Sequence, residues 1–307
     1  MLYGNKSIKK EIIEKAHNIA KQRGYILIFA ANVGSISRGL QTLDSDCDVR
    51  FLYLKSLKNN KVMYPDKCKE EEIVYRYKED SDEFVFDTVA FWDMTAFLQL
   101  LINPSINGVF SKNYGLYYFV EQTLLSPYTW DPYGIQQKLY NLIEMVYSKE
   151  WGLKYNLGLI NKTYIEGEIV LKDYIHCAMM AMSMKYINKF NRPAPIHIST
   201  LLSIEDDSRI VDIVRNLLNE LENKTKEFYE INQFKRHRTK KQLYANRNYE
   251  LDRYICHQIS VVKSQVAGEQ FETDIIYKEE IIKKMYDIIE RALNEPIIIG
   301  VSDGEKY

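Results

Sequence analysis

The tightest constraint on the fold lies in residues 25–50. An unbroken apolar run of strand length, residues 25–31, leads into Asn32-Val33-Gly34-Ser35, and Ser45-Asp46-Cys47-Asp48-Val49-Arg50 follows about ten residues later. Apolar residues without alternation predict a strand covered on both faces. A Gly-Ser turn directly after that strand, ahead of a short helical piece through Arg38 and Leu40, turns bare backbone N–H groups and a hydroxyl toward phosphate oxygens. Only glycine permits so close an approach. Residues 47–54 then read as a second strand, giving the order helix, strand, Gly-Ser turn, helix, strand.

Asp46 and Asp48 stand two apart on an extended segment, so both carboxylates share a face. Two like charges so close call for a cation. Hard oxygen donors without His or Cys partners suit Mg²⁺ (or Mn²⁺), held by a few carboxylates together with substrate phosphates. A nucleoside triphosphate is the expected ligand. With two ions, a third carboxylate from a neighbouring strand is expected. Asp87, in the alternating stretch 83–91, is the candidate, with Phe86 and Thr88 directed to the other side.

The flanking segments fit one small module. Ser7 and Gly24 bracket a first helix whose apolar positions Ile12, Ile13, Ala16, Ile19 and Ala20 share a face. Residues 57–82 form a polar excursion, and Asp93 is placed to cap a helix over 94–102 that Asn103-Pro104 stops. From Ile135 the apolar spacing is helical in successive stretches, the last ended by Pro296. The expected fold class is α+β: a small mixed sheet with flanking helices over residues 1–125, then an all-helical domain over 135–307. The seam falls within 118–134, where Ser126-Pro127 and Asp131-Pro132-Tyr133-Gly134 break any helix.

Gly34-Ser35, Arg38-Gly39, the stretch 45–51 and Tyr53 resemble the DNA polymerase beta superfamily of nucleotidyltransferases, and within it the bacterial and phage subgroup associated with RNA repair. Phe91-Trp92-Asp93, Asn103-Pro104-Ser105 and the run 172–195 extend the similarity to roughly two thirds of the chain. The resemblance implies a polymerase-beta-type domain and transfer of a nucleoside monophosphate to a hydroxyl, with RNA ends first among the acceptors. It also implies that the region around Lys172 faces the cleft. Asp46, Asp48 and Asp87 are then the catalytic and metal-binding carboxylates, and Gly34, Ser35, Arg38, Arg50 and Lys172 the nucleotide contacts. The chain departs from the subgroup in reading V-G-S-I-S-R-G at the loop and in having Val89-Ala90-Phe91 where a glycine is usual. The second departure makes Asp93 the rival third carboxylate, although a helix cap explains Asp93 more simply.

Composition narrows the setting. A net charge of −1 excludes a surface that is basic throughout, so any polyanion site is local. Residues 235–241 are the one dense basic run, a solvated face by default and an RNA contact if the acceptor is RNA. No segment is apolar enough to cross a bilayer and the first residues lack a secretion signal, so the expectation is a cytoplasmic protein that does not engage membranes. Cys47, Cys68, Cys177 and Cys256 form no C-x-x-C pair and read as reduced and mostly packed. His176 and His257 read as satisfied packing residues within helices. The alternatives are nucleotidylation of a small molecule or a protein, or a regulatory protein that binds nucleotides without turnover. Oligomeric state leaves no signal in the sequence.

Overall fold

The structure, a computed structural model, describes residues 8, 10–42, 45, 47–55, 88–94, 97, 123–165, 167–231 and 243–268, with single helical positions between 283 and 294. Its first half is a four-stranded mixed sheet with helices. Helix α1 (Lys10–Arg23) leads through Gly24, in the left-handed conformation at φ 70°, into β1 (Tyr25–Val33). A single turn of helix, α2 (Gly34–Arg38), follows, then β2 (Asp48–Lys55), β3 (Thr88–Asp93) and β4 (Thr129–Trp130). The spatial order is β3-β2-β1-β4. Strand β2 runs antiparallel to β1 and parallel to β3, while β4 adds to the far edge of β1.

The apolar run predicted a strand buried on both faces, and residues 27–33 are all buried. The strand runs two residues further than the sequence suggests. Asn32 and Val33 remain in the ladder opposite Val49 and Asp48, and the chain turns only at Gly34. One face of the sheet packs on α1 through Ala16, Ala20, Leu27, Ala30, Cys47, Val49, Phe51, Tyr53 and Phe91. Alternation therefore sends Asp48 and Arg50 to the other face.

The second half is helical: α3 (Gln136–Val146), α4 (Lys149–Thr163), α5 (Leu171–Phe190), α6 (Ile198–Ile204), α7 (Ser208–Ile231) and α8 (Tyr249–Gly268). Helix α5 is the hub. Thirteen of its side chains are buried, and it packs against α4, α6, α7 and α8. Together with the sheet module this is the α+β architecture expected from the sequence. Among the described residues no helix is long and apolar enough to cross a membrane. Cys47 and Cys177 are buried and Cys256 exposed, all three free thiols, while Cys68 lies outside the described residues.

The two halves meet at the end of α2. Leu40 belongs to the helical core rather than to the sheet core. Gly39, at φ 73°, sits so close to α6 that a Cβ there would lie 2.7 Å from His197 Nε2 and 3.0 Å from Ile198 Cγ2. The hydroxyl of Tyr128, just ahead of β4, lies 3.4 Å from the same imidazole nitrogen.

Candidate nucleotidyl-transfer site

The Gly-Ser turn and the first residue of β2 converge on one point. In the register of β1 and β2, Val33 faces Asp48, so the residue after Val33 lies beside the Asp48 side chain. That residue is Gly34, at φ 72°, and a Cβ on it would lie 2.8 Å from Asp48 Oδ2. Glycine is required there twice over, by a backbone conformation that side chains disfavour and by a carboxylate occupying the space of a side chain.

Helix α2 starts at Gly34 with no side-chain cap from Val33, and Ser35 and Arg38 are half-buried along it. Ser37 closes the turn by donating its hydroxyl to the Gly34 carbonyl at 3.0 Å, and Leu40 N–H bonds to the Ser35 carbonyl at 2.9 Å. The loop is thus fixed from its own backbone. Cys47 is buried against α1 and accepts a hydrogen bond from Asn32 Nδ2 at 3.3 Å, which anchors the segment just before Asp48. Arg50 lies between Ala31 and Ala90 on the neighbouring strands, two small residues that leave its side chain room on the Asp48 face.

Asp46 and Asp87 lie outside the described residues. Asp48 is paired with Thr88 across β3, so Thr88, Ala90 and Trp92 share its face. Asp93 pairs with Tyr53, five residues further along β2 and about 17 Å from the Asp48 level. It shares the face of Val49, Phe51 and Tyr53, and it ends β3 directly before the helical Met94. Among the described residues no three His, Cys, Asp or Glu side chains gather as a metal-binding group.

A second cluster comes from the helical half. Arg38 lines a small cavity together with Tyr155 and Asn156 of α4 and Met179, Met180 and Ser183 of α5. Burial lowers its pKa from the ordinary arginine value, and Tyr155 opposes that shift. One turn further toward the start of α5, His176 is pushed down to about 3, first by burial and then by the cationic Arg38 and Lys172. Arg38 and Lys172, far apart in sequence, thus both act on the His176 ring electrostatically.

Two histidine expectations change on this evidence. His257 is exposed on α8 rather than packed. His176 is not satisfied: although the residue is only partly buried, its Nε2 is shielded from solvent and has no hydrogen-bond partner among the described residues. The sequence signal for His176 was its position one helical turn after Lys172, which any amphipathic helix also produces. The basic run 235–241 lies outside the described residues.

No curated protein matches the chain. Residues 8–111, which span α1, the Gly-Ser turn, the Asp-x-Asp segment and β3, match the family model of the RNA repair pathway DNA polymerase beta family. Over this module the chain is similar to that family.

Proposed function

We propose that the protein is a divalent-metal-dependent enzyme that transfers a nucleoside monophosphate from a nucleoside triphosphate to a hydroxyl, with an RNA end as the acceptor. One observation carries the reading: the missing Cβ of Gly34 is what lets the Asp48 carboxylate and the Gly-Ser turn occupy a single site. A carboxylate held against a bare backbone turn suits a cation bridging protein and phosphate, and polymerase-beta-type transferases generally use divalent metals.

In this reading Asp46, Asp48 and Asp87 hold Mg²⁺ or Mn²⁺. The ions, when bound, acidify the acceptor hydroxyl and neutralise the departing pyrophosphate. The protein's own part is placement. Gly34 and Ser35 seat the phosphates against the first turn of α2, and Arg38, Arg50 and Lys172 offset their charge. The acceptor oxygen attacks the α-phosphorus, releases its proton, and the α–β bridging oxygen leaves with pyrophosphate. Asp87 suits the third position better than Asp93. It directly precedes Thr88, which pairs with Asp48, whereas Asp93 lies five residues further along β3.

The test is to incubate the protein with each labelled triphosphate, Mg²⁺ or Mn²⁺, and cellular RNA, protein or small-molecule pools. Label in RNA supports the reading, label elsewhere moves the acceptor, and no label with any triphosphate rejects transfer. Residues 235, 236, 238, 240 and 241 add five basic side chains that suit an RNA acceptor. If they touch RNA, neutralising a few flattens the salt dependence of RNA affinity by about one unit of slope per lost phosphate contact. An unchanged slope assigns the run to ordinary surface.

A further inference from the structure

The connection between α5 and α6 and the approach to β4 enclose a cavity of about 180 Å³ at the seam of the two halves. It is far larger than the space of about 20 Å³ beside Arg38. It is smaller than the roughly 300 Å³ of a pocket that encloses a whole drug-sized ligand, so its size suits one flat ring system. Pro127, Pro193 and Pro195 supply rigid apolar wall, since a proline fixes its own φ and brings no N–H. Tyr140 from α3 and Tyr186 from α5 complete that wall, and His197 and Thr200 add polar groups.

Two contacts tie this cavity to the Gly-Ser turn. On one wall, Ser126, directly before Pro127, donates its hydroxyl to the Asn32 carbonyl at 2.5 Å, two residues ahead of Gly34. On the other, His197 abuts Gly39 at the far end of α2. About 7.5 Å of helical rise separates Gly34 from Gly39, so the cavity lies within the reach of one or two nucleotides from Asp48. Thr200 is exposed and opens the cavity to solvent. Arg192 is exposed beside it, with Nε donating to the Tyr186 hydroxyl at 2.6 Å and the guanidinium 5.5 Å from the ring centres of Tyr186 and Phe190. Aromatic wall with a fixed arginine beside an open mouth suits an unpaired base of a single strand, the ring taking the base and the cation the backbone. A mononucleotide would bring its phosphates to the Gly-Ser turn and leave Arg192 without that task.

We propose that this cavity holds the unpaired terminal base of the acceptor RNA, stacked on Tyr140, with Arg192 beside the phosphate that follows. The cavity thereby selects unpaired RNA ends over blunt duplex ends, because a base held in a pair cannot enter. The helical half is then a component of acceptor binding rather than a support for the sheet module. The proposal rests on the RNA-acceptor reading given above.

The experiment uses the full chain and a short single-stranded RNA carrying 2-aminopurine as its 3′-terminal base, with neither metal nor triphosphate. Binding is expected to quench the fluorophore saturably, and an unlabelled blunt duplex is expected to compete about tenfold more weakly than the unlabelled single strand. Tyr140→Ala is expected to weaken affinity about tenfold, the effect of losing one base–aromatic contact, with the salt dependence unchanged. Tyr140→Phe should bind as the wild type does, because the ring does the stacking and the hydroxyl is bonded to Glu144. Thr200→Trp fills the cavity from an exposed position and is expected to abolish the quench with the unfolding midpoint unchanged, so the test survives a folding defect in Tyr140→Ala. Arg192→Gln should lower the slope of log affinity against log salt by about 0.7. No quench with the wild type, or a quench and affinity that survive both Tyr140→Ala and Thr200→Trp, overturns the pocket even where transfer to RNA is normal. A quench that unlabelled triphosphate competes away assigns the cavity to the incoming base and overturns the acceptor assignment. A quench lost in these variants, without transfer from any triphosphate, leaves the pocket standing and removes the transferase reading instead.

Discussion

The two halves of this molecule would build their share of the proposed site by different physical means. On the sheet side the backbone does the placing: a left-handed glycine, a fixed strand register and a one-turn helix bring Gly34 and Asp48 together. On the helical side the placing is done by side chains on one face of α5, which reach across the seam to Arg38. A backbone-built site tolerates change in the surrounding residues but not at the glycine or the carboxylate. A site built from side chains is expected to lose function in smaller steps, residue by residue. That difference orders the expected outcomes.

The largest effect is expected at the carboxylates. Asp48→Ala removes a charge from beside Gly34 without disturbing the ladder, so transfer should fall by about a thousandfold or more while the unfolding midpoint stays level or rises. Asp46→Ala should match it. Near-normal turnover in Mg²⁺ for either variant would place the chemistry elsewhere and dissolve the comparison.

Glycine substitutions separate backbone conformation from site geometry. Gly24 and Gly34 have nearly equal φ values, 70° and 72°, but a Cβ at Gly24 meets nothing within 4 Å whereas one at Gly34 meets Asp48 Oδ2 at 2.8 Å. Both alanine variants should lose about 1–2 kcal/mol of stability from the left-handed conformation. Only Gly34→Ala should also lose activity, by about a hundredfold, because the carboxylate must move. Parallel losses of activity in both variants would show that conformation alone matters and that the contact does not.

The third carboxylate tests the sheet side further. Asp87→Asn should reduce kcat more than triphosphate binding, because the remaining carboxylates still hold the phosphate-bound ion. Asp93→Asn should be mild, since it lies five residues along the strand from the level of Asp48 and Asn serves as well ahead of a helix. The reverse ranking would move the third ligand to Asp93 and require a different path for the chain ahead of Thr88.

How much of this was legible in the sequence follows the same division. Strand β1, the glycine and the Asp-x-Asp segment announce themselves because each is coded within a few residues, by apolar run, by turn chemistry and by a spacing of two. The helical patterns of α3, α5, α7 and α8 were legible for the same reason. Three features were not. The two-residue strand β4 sits among Pro and Gly turn signals and exists only because β1 offers it an edge. Leu40 reads as part of the sheet module but packs in the helical core, since Gly39 lets the chain cross to α6. His176 Nε2 has no hydrogen-bond partner among the described residues, and no local pattern reports an absent partner.

The smallest effect on catalysis, and the clearest control for the comparison, is expected at a side-chain cluster remote from α2. Arg247 donates to both oxygens of Asp252, at 2.9 and 3.0 Å, and Tyr164 and Tyr174 donate to Oδ1 at 2.7 and 3.0 Å. Arg247 also donates to the carbonyls of Ile165 and Gly167, so the cluster ties the α4–α5 connection to the start of α8. Burial opposes ionisation of Asp252, but hydrogen bonds from Arg247, Tyr164 and Tyr174 outweigh it and hold the carboxyl below its ordinary value. A carboxyl depressed in the folded state contributes stability that is fully present above its unfolded value near 3.8 and is lost as the pH falls through the folded one. Asp252→Asn should therefore destabilise the protein by about 2 kcal/mol at pH 7, the loss of charge-assisted bonds from a partly buried group. The deficit should narrow below about pH 4, where the wild-type carboxyl also protonates. Urea midpoints of both proteins measured from pH 7 down to pH 3 read this directly, alongside transfer assays at pH 7 in which kcat and KM should be unchanged. A deficit that stays constant with pH would mean that shape rather than charge holds the cluster. A loss of transfer activity in the folded variant would mean that the helical side couples to the site through its whole framework rather than through the α5 face that meets Arg38.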